Sequence, residues 1–281
     1  MSTHPSDSSG PSRRSVTAGA MWSIPVVGAA VAAPLAAAST LPCTSTTLFT
    51  QSSMSLNPLT LTATSPTGTS TSVRITSVLA ADTTTTPTTD PRSFNLTQDG
   101  TAWYAGGTFQ FANEVPLSFY EPGLLLLNQR RAGRVSTTTE NVPEVPTPGS
   151  DSQTLIFEFF DADGNSFDPT DVQLTVLNIS SDATSLGLYW ALKSWSTVGF
   201  SVAPTSISSR GGAAGVGAGT IADPFRRATA GERAVPLAPR YDTFTFRSFP
   251  SGSSLVYSQF GGFQGWHSSA ITGLGFRSSD C

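Results

Sequence analysis

The sequence predicts an all-β protein: a single large antiparallel β-sandwich, jelly-roll or lectin-like, behind an N-terminal signal segment. Three observations carry that prediction. Short apolar runs alternate with clusters of Gly, Pro, Ser, Thr and Asp, the spacing of strands and tight turns. Several runs alternate with period two: in Thr243-Phe244-Thr245-Phe246 and Leu59-Thr60-Leu61-Thr62 the apolar side chains fall on one face and the threonines on the other. Beyond the N-terminal segment no window sustains the 3.6-residue apolar stripe of a helix. Composition agrees. With 17 Phe and 5 Trp in 281 residues the chain can build a core, and its 12% of charged residues is too few for the charge-rich disordered class. A net charge of −4 argues against nucleic acid as a partner.

The N-terminus reads as an export signal. Arg13 and Arg14 precede a stretch from Ala18 to Ala38 that carries no charge and ends in alanines. A positive region, an apolar region and a small-residue site in that order predict cleavage. Ala36 and Ala38 are the small pair, and Ser39 becomes the first mature residue. The arginine pair, followed by a mildly hydrophobic core broken by Pro25 and Pro34, fits a twin-arginine signal. The same prolines argue against a stable membrane span. Residues 13–39, with Met21-Trp22-Ser23-Ile24-Pro25 at their centre, resemble the twin-arginine signals of secreted actinobacterial surface proteins. That resemblance implies passage through the twin-arginine export machinery and a secreted or cell-surface destination. The expected organisation is a signal over 1–38 and one β-domain over 39–281. The Pro-rich stretch 141–150 offers an alternative division near residue 145.

Strands are expected at 46–50, 59–63, 73–79, 102–111 and 124–127, then at 154–160, 172–179, 186–192, 198–202, 243–247, 254–260 and 271–276. Three stretches read as loops: 82–91 with its Thr run, 141–150, and 210–220, which is nearly all Gly and Ala. The third superficially suggests a phosphate loop, but no Lys-Ser or Lys-Thr follows it, so it is expected to be a flexible loop or a strand.

Several runs then come in a telling order: Gly123-Leu124-Leu125-Leu126-Leu127-Asn128-Gln129, Thr154-Leu155-Ile156-Phe157-Glu158-Phe159, Val172-Gln173-Leu174-Thr175-Val176 and Gly217-Ala218-Gly219-Thr220-Ile221-Ala222-Asp223-Pro224-Phe225-Arg226. This order is similar to that of secreted actinobacterial proteins with a β-sandwich surface domain, over most of residues 120–281. The resemblance implies a sandwich and is nearly silent on ligand. Where those proteins carry Asp-Ile-Asp, this chain has Asn178-Ile179-Ser180, so an ion site on those carboxylates does not carry over.

The chemistry-bearing residues are few. Asp161-Ala162-Asp163-Gly164-Asn165 gathers side-chain oxygens of the kind calcium needs, which makes Asp161, Asp163 and Asn165 a calcium candidate. Asp, Gly and Asn are also ordinary hairpin residues. Calcium aside, no cofactor is expected. Tyr189, Trp190, Trp195 and Trp266 are candidates for a ligand platform, because exposed rings stack on pyranose faces. Glu158 with Asp161 or Asp163 is the carboxylate pair a polysaccharide hydrolase would use. No Gly-x-Ser-x-Gly elbow occurs, and His267 is the one histidine of the mature chain. Cys43 and Cys281 are expected to pair in an oxidising environment, provided the fold brings both ends together.

These readings favour a secreted or envelope-associated protein without catalytic activity, binding or adhesin-like, with an envelope or extracellular glycan as partner. A secreted polysaccharide hydrolase on a jelly-roll scaffold, or a purely structural wall-associated protein, stands as the alternative.

Overall fold

A computed structural model describes residues 43–47, 57–80, 125–127, 152–182, 194–229, 231–232, 239–261 and 269–278. All of them fall in one compact unit, Pro42–Cys281. Outside the described residues lie the signal positions Arg13, Arg14, Ala36, Ala38 and Ser39, the aromatics Tyr189, Trp190 and Trp266, Cys281, and the strands expected at 102–111 and 186–192.

The described residues hold twelve strands and no helix. They are β1 (Cys43–Thr47), β2 (Leu59–Thr64), β3 (Ser70–Leu79), β4 (Leu125–Leu126), β5 (Ser152–Phe160) and β6 (Thr170–Leu177), then β7 (Ser181–Asp182), β8 (Ser194–Phe200), β9 (Ser206–Arg210), β10 (Tyr241–Ser248), β11 (Ser253–Gly261) and β12 (Ala270–Ser278). The period-two runs become strands with alternating burial: Leu59, Leu61 and Ala63 point inward from β2 while Thr60, Thr62 and Thr64 face water. On β10 Phe244 and Phe246 are buried between half-exposed threonines.

The all-β, antiparallel expectation holds among the described residues. The strands form one continuous antiparallel sheet in the order β7-β8-β11-β5-β3-β2-β1-β12-β6-β10-β9, with β4 added to β12. Pairs such as β3–β5 and β1–β12 join chain from both sides of residue 145. The sheet is strongly curled, a half-barrel. Phe200 of β8 and Phe244 of β10 stand eight strands apart in the order, which on a flat sheet is about 38 Å. Their ring centroids are 4.8 Å apart. The physical reason is burial: a single sheet with one apolar face must cover that face, and curling it upon itself does so without a second layer.

Eight phenylalanines, residues 157, 159, 200, 225, 244, 246, 249 and 276, form the middle of the core. They meet mostly edge to face, as in Phe159–Phe276 at 5.2 Å and Phe157–Phe249 at 5.8 Å. That geometry suits the ring quadrupole and adds about 0.5–1.5 kcal/mol per pair beyond area burial. Strand β1 departs from the apolar pattern, because its inward positions are Ser45 and Thr47.

Candidate functional site

The outward face of β2, β3 and β5 carries the most chemically equipped patch among the described residues. Arg74 of β3 lies opposite Glu158 of β5 and Thr60 of β2. One step along the strands, Ser72 lies opposite Phe160 and Thr62. The Arg74 guanidinium grips the carboxylate at two points: Nε donates to Oε2 and Nη2 to Oε1, each at 2.8 Å. The guanidinium also sits over the Phe160 ring, 5.1 Å from its centroid. The group stays open to solvent, with side chains 43% exposed at Arg74 and 30% at Glu158. Hydrogen bonding to Arg74 holds the Glu158 carboxyl below the usual glutamate range, and the same bonds raise Arg74. A carboxyl held that way is a poor proton donor at neutral pH, which runs against the general-acid role a glycosidase would ask of Glu158.

A second feature runs across the outward face. Register places Ser206, Thr245, Gln173, Gly275, Thr46, Thr64 and Ser70 side by side, one from each of β9, β10, β6, β12, β1, β2 and β3. All seven are solvent-accessible and uncharged. At the strand spacing this row is about 29 Å long. Within the next row, Thr175 and Thr243 share a hydroxyl hydrogen bond of 2.8 Å.

The calcium candidate is a hairpin turn between β5 and β6. Asp161 Oδ1 accepts from the backbone N–H groups of Asp163 (3.0 Å) and Asn165 (2.7 Å), and Oδ2 accepts from the Asn165 side-chain amide (3.2 Å). Gly164 takes the positive φ of 82° that the turn requires. The backbone bond from Asn165 leads the set that lowers the Asp161 carboxyl. Both its oxygens are thus engaged by the turn. No group of three His, Cys, Asp or Glu among the described residues is placed to hold a metal ion.

Trp195 is 2% exposed, so its ring offers no stacking face. It was expected in the platform because sequence does not say which of several aromatics a sheet will cover. Phe160, half-buried on the outward face, is an aromatic the sequence analysis did not single out.

The glycine-rich run 211–220 is not a loose loop. Residues 216–226 fold back as a hairpin, with Val216 and Arg226 exchanging backbone bonds of 2.8 and 2.9 Å. A Cβ on Gly217 would lie 2.3 Å from the Pro224 carbonyl oxygen, and one on Gly215 would strike the Phe225 ring at 2.3 Å. Glycine permits a backbone approach here that no other residue allows.

Beneath this hairpin lies a buried charge cluster. Arg227 is 1% exposed and donates Nε to the Ile179 carbonyl (2.6 Å), Nη1 to the Ala213 carbonyl (2.8 Å) and Nη2 to Asp242 Oδ2. Asp242, 0% exposed, accepts a second bond of 2.6 Å from the Ser209 hydroxyl. Burial pushes the Asp242 carboxyl up and the Arg227 guanidinium down, and each partner's charge pulls the other back. Nearby, Arg240 donates to Glu232 at 2.9 Å. Burial pushes Glu232 up, but bonds from Thr229 and Arg240 outweigh it and leave the carboxyl lowered.

No protein-family profile matches the chain, and no curated protein matches it. Among solved structures it is similar to the adhesin domain of PrgB from Enterococcus faecalis bound to DNA, at 11% identity and a TM-score of 0.31, over 77% of this chain and 68% of that one.

Proposed function

We propose that this protein is an exported, envelope-associated or secreted binding module without catalytic activity, and that its partner is an uncharged extracellular glycan. In this reading the twin-arginine signal over 1–38 delivers the domain to the cell surface, and the curled sheet acts as a lectin-like platform. One observation carries it: Arg74, Glu158 and Phe160 stand together on the outward face of three rigid strands, beside the hydroxyls of Thr60, Thr62 and Ser72. A planar, bidentate ion pair offers directed donors and acceptors to sugar hydroxyls, and a half-exposed ring offers an apolar surface to the sugar's C–H face. The site sits on strands, so little order must be gained on binding.

The test is a glycan array with the full chain, followed by calorimetry on the best hit. Phe160→Ala is expected to weaken binding about tenfold, the effect of losing one ring contact of about 1.4 kcal/mol. Binding that is indifferent to Phe160→Ala and Arg74→Ala overturns the site. Turnover of the glycan that disappears in Glu158→Gln overturns the non-catalytic reading.

A further inference from the structure

We propose that residues 211–227 form a detachable closing strap, latched by the Arg227–Asp242 pair. The β8 edge beneath it is then a strand-acceptor surface whose partner is a second copy of this chain.

The sheet leaves β8 poorly covered. On one side β11 pairs with it along its length. On the other, β7 reaches only Ser194 and Trp195. Ser196 N–H still reaches the Ser180 carbonyl at 2.9 Å, and beyond it the strap takes over. Val198 N–H donates to the Phe225 carbonyl (3.0 Å) and Phe225 N–H to the Val198 carbonyl (2.8 Å). Phe200 N–H donates to the Gly219 carbonyl (2.9 Å) and Ile221 N–H to the Phe200 carbonyl (3.0 Å). Without the strap, those positions of β8 would present the row of unpaired groups that recruits another strand.

The strap also reaches the opposite flank of the curl. Gly219 passes so close to Ile207 and Pro204 that a Cβ would lie 3.0 Å from each side chain, and Arg227 bonds to Asp242 of β10. It therefore joins the two flanks that the strand ladder leaves apart. Its hold is thin. Phe225 is its single large apolar side chain in the core, whereas Val216 and Ile221 are 39% and 50% exposed. Retention rests on one ring, four backbone bonds to β8, the Arg227 bond to the Ile179 carbonyl and one buried ion pair. Breaking such a pair by removing one charge leaves the other buried and uncompensated, the costly direction.

The second copy is the occupant because its own strap already carries the complementary register for β8. A released strap and a vacated edge exchange between two chains with the same bonds, which is a domain swap.

Hydrogen exchange with light scattering on the full chain tests this. In Asp242→Asn the amides of Val198, Phe200, Ile221 and Phe225 are expected to exchange at least about 100-fold faster, while Ile75 and Phe157 in the β3–β5 pair stay within about threefold. A dimer should grow with protein concentration. The double variant Arg227→Met, Asp242→Leu removes both charges, and is expected to return protection and the monomer. Should Asp242→Asn not fold, Arg227→Lys loosens the latch more gently, since it keeps the charge but loses the planar fork. Equal acceleration in β3–β5, unchanged strap amides, or an opened strap on a chain that stays monomeric would each overturn the proposal.

Discussion

Replacing Gly217 by alanine separates a strap that is packed from one that merely occupies space. Gly217 has φ of +98°, and an alanine Cβ there would stand 2.3 Å from the Pro224 carbonyl oxygen, 2.8 Å from its carbon and 3.2 Å from the Phe225 Cα. All three obstacles are backbone atoms, so no rotamer change relieves the clash. Two costs follow. A side chain at positive φ costs about 1–2 kcal/mol, and forcing the hairpin's two arms apart adds about 1–3 kcal/mol, the usual penalty of overpacking. The expected loss is about 2–5 kcal/mol, or roughly 5–15 °C in Tm for a domain of this size. Gly68 supplies the control: its φ is +88° and nothing lies within 4 Å of its Cβ position, so Gly68→Ala should lose only the first term. Urea unfolding followed by tryptophan fluorescence gives both values. Equal losses in the two variants, with the Val216 and Arg226 amides still protected, would refute the claim that the strap is closely packed.

Two further outcomes are expected. Glu158 has a lowered carboxyl in the folded state, so its contribution is present above the ordinary glutamate range and is lost as pH falls through the lowered value; Glu158→Gln should cost at most about 1 kcal/mol at pH 7 and progressively less as the pH falls below the ordinary glutamate range, as suits a solvent-screened pair, and a loss that does not shrink in acid would refute the pairing. Cys43 lies opposite Ser278 in the β1–β12 ladder, and Cys281 follows three residues later in the sequence, outside the described residues; a disulfide between the two cysteines would close nearly the whole domain and add up to about 5 kcal/mol, so intact-mass measurement on the oxidised protein should find the bridged form, and two free thiols would end that reading.

The strands that carry alternation were legible. The expected 59–63, 154–160 and 254–260 match β2, β5 and β11 to within two residues, because each alternates an inward set rich in apolar side chains with a more exposed outward one. Strand β9 was not, since Ser206-Ile207-Ser208-Ser209-Arg210 has one apolar residue and only its place beside β10 makes it a strand. Strand β1 was placed three residues late, because Ser45 and Thr47 face inward and give no apolar signal. The curled sheet order was not legible, since period two says which residues are inside and nothing about which strands are hydrogen-bonded neighbours. The candidate site was half legible. Glu158 stood out as a carboxylate between phenylalanines, but its partner Arg74 is 84 residues away and only register joins them.

The same reasoning explains why a buried ion pair accompanies the phenylalanines at the seam of the curl. Along the ladder, backbone pairing fixes register strand by strand. Across the seam, between β8 on one flank and β10 on the other, no direct ladder joins the described strands. Phe200, Phe225 and Phe244 pull the flanks together there, but apolar contact has no direction and tolerates sliding. Arg227 supplies direction. Its three donor positions are claimed by Ile179, Ala213 and Asp242, on three separate pieces of chain, and only one closure satisfies all of them. A slipped seam would leave a buried guanidinium short of acceptors, which costs more than a slipped phenylalanine. An apolar replacement of the pair should therefore hold the flanks together while letting them settle in more than one register. The measurable difference between the native pair and its apolar substitute is uniqueness of closure rather than stability.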